Sequence, residues 1–169
     1  TEQPDAARHR RRGTACDCKE GMMVSRRILA IDQGTTNTKA VLVLEDGSIA
    51  ARASSPLTTH YPHPGWAEQS ANDIWNSVCT VIKTIVDDHG APDGIAISNQ
   101  RETLVIWDAK TSEPICPAPI WQCRRTAEVS AKLIAEGHDP FVVERTGLGI
   151  NPLFPASKIG WVMQHVPQA

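Results

Sequence analysis

The stretch richest in chemistry is Asp32-Gln33-Gly34-Thr35-Thr36-Asn37-Thr38-Lys39. It sets a carboxylate, a glycine, hydroxyls, amides and an ammonium between two apolar runs, 28–31 and 40–44. A turn rich in glycine and threonine aims backbone N–H groups and hydroxyls at one point, which suits an anion and above all a phosphate. Asp32 alone would repel a phosphate; Mg²⁺ bridging the two, directly or through water, makes the carboxylate useful. The competing reading is a polar β-turn closed by an Asx-type hydrogen bond from Asp32. On this stretch alone the two readings stand level. The chain carries neither a Walker A loop nor a GxGxxG loop. A phosphate here would therefore be held by a strand–turn–strand hairpin, beyond the strand ends where ligands of α/β folds sit.

The elements that must position this turn are legible from periodicity. Residues 28–32 and 39–45 read as strands rich in Ile, Leu and Val. Asp46-Gly47 is a hairpin signal, so 48–54 returns as a third strand. Residues 55–69 read as irregular. Ser70 or Asn72 caps a helix to about residue 88, with Ile74, Val78, Ile82 and Ile85 on one face and Gly90 at a left-handed C-cap. Further strands are predicted at 94–98, 103–108 and 118–121. Thr126 is expected to cap a second helix through about residue 136, with Val129, Leu133 and Ile134 on its apolar side. Short helices are expected at 140–145 and from Pro155 to about residue 165. A strand meander followed by alternating helices and strands makes a mixed α/β sheet with helices on its faces.

Bulk properties narrow the function classes. A chain of 169 residues, 41% apolar and 21% charged, is long enough for one domain with a core. A net charge of −2 gives no reason to expect nucleic acid or an anionic membrane as partner. No apolar run approaches a membrane span. Five cysteines, with no CxxC pair and no apolar signal segment, read as free thiols in a reducing cytoplasm. Cys16 and Cys18 have no further Cys/His pair at ligand spacing, so a metal site there is disfavoured. Residues 1–25 are polar, include RHRRRG at 8–13, and show no hydrophobic period. A basic arm for nucleic acid is one reading; a disordered tail or tag remnant is favoured, with Met22 or Met23 a natural start.

The segment IDQGTTNTKAVLV resembles the first phosphate motif of the actin, hexokinase and Hsp70 superfamily. PGWAEQ, ISNQRETLVIWD, PAPIWQCRRT and TGLGINPLFPASKIGW then follow in the order seen in the FGGY family of carbohydrate kinases. NQRET followed by WQCRRT is similar to the glycerol kinase-like branch. The resemblance runs from Arg27 to Ala169 and implies a ribonuclease H-like mixed sheet with flanking helices, present as an N-terminal half-lobe. It divides the chain at 1–25, the tail, and 26–169, an N-terminal kinase domain truncated at its C-terminal end.

The resemblance also implies roles. The family transfers the γ-phosphoryl of ATP, with Mg²⁺, to a hydroxyl of a polyol or sugar. Asp32 matches its metal-associated aspartate. Gly34, Thr35, Thr36 and Asn37 match the phosphate-contacting turn, with Asn37 where many members carry serine. Lys39 stands where arginine is usual near the nucleotide phosphates. Arg101 and Glu102 match residues that hydrogen-bond glycerol hydroxyls; a guanidinium supplies donors and a carboxylate acceptors, as a polyol requires. Without the motif around them they would read as a solvated surface pair. Trp121 matches the aromatic that packs on the carbon face of the substrate, against core packing as the rival. Leu153 stands where glycerol kinases carry a tyrosine, so discrimination among hydroxylated substrates should differ. Arg124 and Arg125 are expected in structural ion pairs, and Trp66 as scaffold.

In the family the catalytic base is an aspartate in a later segment, as are the adenosine site and second phosphate loop. The base therefore lies beyond residue 169, no catalytic residue is expected in this chain, and the chain alone is expected to be inactive. Apolar surface meant for other segments would favour association, and the resemblance leaves a homo-oligomer of the longer protein open. The alternatives are a non-catalytic actin-like or Hsp70-like nucleotide-binding module, or a decaying gene remnant.

Overall fold

The computed structural model describes residues 26–169. The basic run at 8–13 and the Cys16/Cys18 pair lie outside the described residues.

The apolar runs form a four-stranded sheet. Strands β1 (Arg27–Gln33), β2 (Asn37–Leu44) and β3 (Ile49–Pro56) make an antiparallel meander, and β5 (Gly94–Asn99) lies parallel to β1, giving the order β3-β2-β1-β5. Two hydrogen bonds between Leu44 and the Gly47–Ser48 end close the Asp46-Gly47 hairpin, and Asp46 Oδ1 accepts from the Ser48 amide. The long α1 (Ala71–His89) carries the chain from β3 to β5 across one sheet face. Ser70 caps it, its hydroxyl accepting from Asp73 N at 3.1 Å. Gly90 ends it at φ 75°, but with ψ 176° rather than the left-handed helical value expected.

Leu29 and Ile31 of β1, Ala40 and Leu42 of β2, and Val81 and Ile85 of α1 form the core, with Val78 and Ile82 packed against it. Each large apolar side chain so buried contributes about 1.5–3 kcal/mol. Thr38 and Ser77 share a 2.6 Å hydrogen bond inside the same interface. The buried seam of α1 thus runs through Ser77, Val81 and Ile85, one step round from the face expected from Ile74 and Val78.

A smaller second layer starts with the two-stranded pair β4 (Glu68–Gln69) and β6 (Ala118–Pro119), packed through Ala67, Ile120 and Cys123. Helices α2 (Ala127–Ala135), α3 (Asp139–Thr146) and α4 (Pro155–His165) follow.

Further local expectations change. Residues 103–108 are not a strand: they form a loop tied by one isolated bridge, Trp107 to Pro114, and by bonds such as Ile115 N to Ile106 O. Pro114 has no N–H to extend a ladder, and Asp108 instead gathers the amides of Lys110 and Thr111 into a turn. Strand 118–121 shrinks to two residues. Thr126 precedes α2 without capping it, because its hydroxyl is spent on Ser157 of α4 at 2.8 Å. Val129 and Ile134 of α2 are exposed, as are Ile95 and Ile97 on edge strand β5. Among the described residues no helix is long and apolar enough to cross a membrane.

Candidate functional site

The β1–β2 turn is built around Gly34. Its amide donates to Asn37 O at 3.0 Å, and a Cβ there would lie 2.9 Å from that same oxygen. Glycine is therefore required by close approach, and its N–H is spent inside the hairpin. Among the described residues the amides of Thr35 and Thr36 donate to no protein group. The part of the turn that can face an anion is thus Thr35–Thr36.

Asp32 sits in the register row that joins Ser54, Lys39, Asp32 and Ser98 across all four strands. Lys39 is its direct cross-strand neighbour on β2. Both are exposed, and neither makes an ion pair among the described residues.

Next to this turn, Asp32, Gly34 and Thr35 line a cleft of about 550 Å³ together with Arg101, Glu102, Trp121, Leu153 and Phe154. Seven of the residues singled out from sequence thus converge on one cleft. Thr36, Asn37 and Lys39 do not line it; Lys39 faces the shallower hollow over the sheet with Asp32 and Ser98.

Arg101 and Glu102 follow the end of β5 after Gln100, and Asp32 is the penultimate residue of the neighbouring β1. Glu102 has φ +66°, a left-handed conformation uncommon for a non-glycine residue. Neither side chain forms a hydrogen bond or ion pair among the described residues, so five guanidinium N–H donors and a carboxylate remain for a ligand. Trp121 is 39% exposed and its Nε1 donates to Thr35 Oγ1 at 2.9 Å. The indole therefore belongs to the cleft wall rather than to the core.

A buried amide relay ties the two halves of the cleft together. Gln69 Nε2 donates to Thr35 O at 2.7 Å and to Thr59 Oγ1 at 3.0 Å. Gln69 Oε1 accepts from Gln100 Nε2 at 2.9 Å, and Gln100 Oε1 accepts from the Thr103 hydroxyl at 3.1 Å. Gln100 N closes the set on Gln33 O at 2.7 Å. The sequence reading missed both glutamines. Their only signal was position: each lies inside a motif, PGWAEQ and NQRET, that had been credited to other residues.

Arg125 and Trp66 pack together outside the residues that line the cleft. Arg125 Nη2 lies 2.5 Å from Glu68 Oε2, with both side chains largely buried, and its guanidinium sits over the rings of Trp66 and Trp161 at 4.1 and 4.7 Å. Arg125 thus makes the expected ion pair, whereas Arg124 makes none among the described residues. Lys158 is fully buried on α4, and burial pushes its pKa below the ordinary lysine value.

Among the described residues no cluster of three His, Cys, Asp or Glu side chains could hold a metal. The donor set instead suits Mg²⁺ brought in on phosphates, since that ion is commonly held by one or two carboxylates plus substrate oxygens. Asp32 beside the open Thr35 and Thr36 amides fits such an arrangement.

Sheet order, crossover helix and a cleft at the ends of β1 and β5 define an α/β ligand-binding domain of the actin/hexokinase-like fold. Residues 27–169 match the FGGY family of carbohydrate kinases, N-terminal domain, and the chain belongs to that family. It is 44% identical over 146 residues to the glycerol kinase of Rhodopseudomonas palustris, covering 84% of this chain and 29% of that protein. It is 46% identical over the same length to the glycerol kinase of a Bradyrhizobium species, with the same coverage. Among solved structures, Plasmodium falciparum glycerol kinase with ADP superimposes with a TM-score of 0.79 at 28% identity, over 85% of this chain and 30% of that one. Xylulose kinase from Rhodospirillum rubrum gives 0.78 at 29% identity, again over 85% and 30%. The chain thus spans less than a third of the length of these relatives.

Proposed function

We propose that the chain supplies the polyol-binding and phosphate-facing part of an ATP-dependent kinase acting on a hydroxyl of glycerol or a related polyol or sugar. One observation carries this reading. Arg101 and Glu102, both with unspent polar groups, share a cleft with Asp32, Thr35 and the exposed indole of Trp121.

A small polyol has an apolar carbon edge and hydroxyls that both donate and accept. Trp121 offers an apolar wall for the first, Arg101 donors and Glu102 acceptors for the second. Leu153 adds surface without a hydrogen bond. Thr35 and Thr36 offer amides to the nucleotide phosphates, and Asp32 would hold Mg²⁺ through an oxygen or a bridging water. Bound there, the ion would neutralise charge on the phosphates, the main demand of phosphoryl transfer. Lys39 adds positive charge in the adjacent hollow. Gly34 shapes the turn and Asn37 closes it.

By this reading the 169-residue chain binds polyol but does not by itself transfer phosphoryl groups, since neither Asp32 nor Glu102 is assigned as base for the attacking hydroxyl. Absence of that base typically costs about 10² to 10⁴ in rate.

The test is saturation-transfer NMR with glycerol on the purified chain, followed by an ATP/Mg²⁺ phosphorylation assay. Transfer to glycerol protons that disappears in Arg101→Ala is expected. No transfer to glycerol or to C4–C6 polyols and sugars would sink the substrate assignment. Turnover at the rate of an intact kinase would sink the assignment of inactivity.

A further inference from the structure

Lys158 is fully buried, yet among the described residues no carboxylate lies within ion-pair distance of its ammonium, and the Glu102 carboxylate acts on it only from farther off. Its ammonium donates to two backbone carbonyls, Leu153 O at 2.8 Å and Glu102 O at 3.1 Å. Burying an ammonium without a counter-ion is costly, and an apolar residue of the same volume commonly serves a core better. The position is otherwise a core position: Val162, one turn along α4, is also fully buried.

The two carbonyls belong to separate segments that face each other across the cleft. One is the turn after β5, which presents Arg101 and Glu102. The other is the turn before α4, which presents Leu153 and Phe154. Glu102 is also one of only two non-glycine residues with positive φ among those described. Such a backbone persists where its surroundings over-determine it, and the bond from Lys158 to its carbonyl is one such constraint.

We infer that Lys158 is a positioning residue for polyol binding: its ammonium bolts the Arg101–Glu102 turn to the Leu153–Phe154 turn and so sets the width and donor geometry of the cleft. It touches no ligand itself. The inference rests on the polyol reading above for its functional consequence, but the bolt is a property of the chain alone. Arg125 acts differently, joining Glu68 to two tryptophans away from the cleft.

The test compares wild type with Lys158→Met, which keeps length and loses the donors, and Lys158→Gln, which keeps donors. The readouts are amide chemical shifts at Glu102 and Leu153, glycerol affinity by NMR titration, and melting temperature. In Lys158→Met the two amides should shift while β1–β3 signals stay in place. Glycerol affinity should fall at least about tenfold, and Lys158→Gln should recover part of both. Unchanged Glu102 and Leu153 signals overturn the proposal, as does a general shift of sheet signals. If wild type binds no polyol, the functional reading fails and the amide shifts alone decide the bolt. If both variants unfold, the wild-type ¹⁵N-ammonium signal of Lys158 decides. Cross-relaxation to the α-protons of Glu102 and Leu153 supports the proposal, and its absence overturns it.

Discussion

Trp121 and Thr35 stand 86 residues apart in the chain, yet the indole N–H donates to the threonine hydroxyl at 2.9 Å. The bond links the wall of the proposed polyol cleft to the turn proposed to face phosphate. Trp121→Phe keeps an aromatic wall and removes the donor. A neutral hydrogen bond contributes about 0.5–1.5 kcal/mol, so stability in urea should fall by roughly that amount while glycerol affinity changes little. Trp121→Ala removes the wall too and should weaken glycerol binding about tenfold or more. Equal loss of affinity in both variants would show that the hydrogen bond, not the apolar face, serves the ligand.

Gln69 serves three partners from a buried position, Thr35 O, Thr59 Oγ1 and Gln100 Nε2. Gln69→Leu leaves them unmet. With each buried unmet group costing about 1–3 kcal/mol, the loss in chemical denaturation should be on the order of 3 kcal/mol. Because the relay runs from Thr35 to Gln100, amide signals at Thr35 and Arg101 should move together. Movement at Thr35 alone would mean that the relay does not couple the two sides.

Leu153 offers a specificity test. Its carbonyl is engaged by Lys158 and its amide by Asn151 Oδ1, so its backbone is held independently of its side chain. Leu153→Tyr should add one hydroxyl partner and raise glycerol affinity about two- to tenfold. The gain should be absent for propane-1,2-diol if the new bond is to the missing hydroxyl. An equal gain for both ligands would assign the effect to added apolar contact.

The loop at 108–113 carries a pH prediction. Amide bonds from Thr111 and Lys110 hold the Asp108 carboxyl below the ordinary aspartate pKa. The folded-state value is lowered, so the unfolded chain binds more protons between the two values. The loop's contribution to stability is therefore present at neutral pH and is lost as pH falls through the folded-state pKa. Side-chain NMR titration should find Asp108 more acidic than a free aspartate; a normal or higher value would mean that the turn does not hold it in solution. Asp46, bonded by Ser48, should titrate in the same direction.

The sequence by itself determined the parts whose causes are local. Short apolar runs rich in Ile, Leu and Val at 28–32 and 39–45 favour strands whichever partner covers them. Asp46-Gly47 imposes a hairpin, Ser70 or Asn72 offers a cap for α1, and Gly34 fits the turn at the end of β1. These features sufficed to place Asp32 near the end of a strand and Thr35 in the turn after it. The resemblance carried by the motifs around Arg101, Trp121 and Leu153 grouped them as substrate-contacting residues, and all three line one cleft.

The tertiary structure decided what depends on partners distant in sequence. Residues 103–108 have the composition of a strand, but they face Pro114 and an Asp108-centred turn, so no ladder forms. Thr126 looks like a helix cap, yet the arrival of Ser157 from α4 takes its hydroxyl. Val129 and Ile134 have helical apolar spacing, and only packing shows that they stay exposed. Nothing in the sequence marks Lys158 as buried. Its place under two carbonyls exists only because α4 packs against the turn after β5, 56 residues earlier.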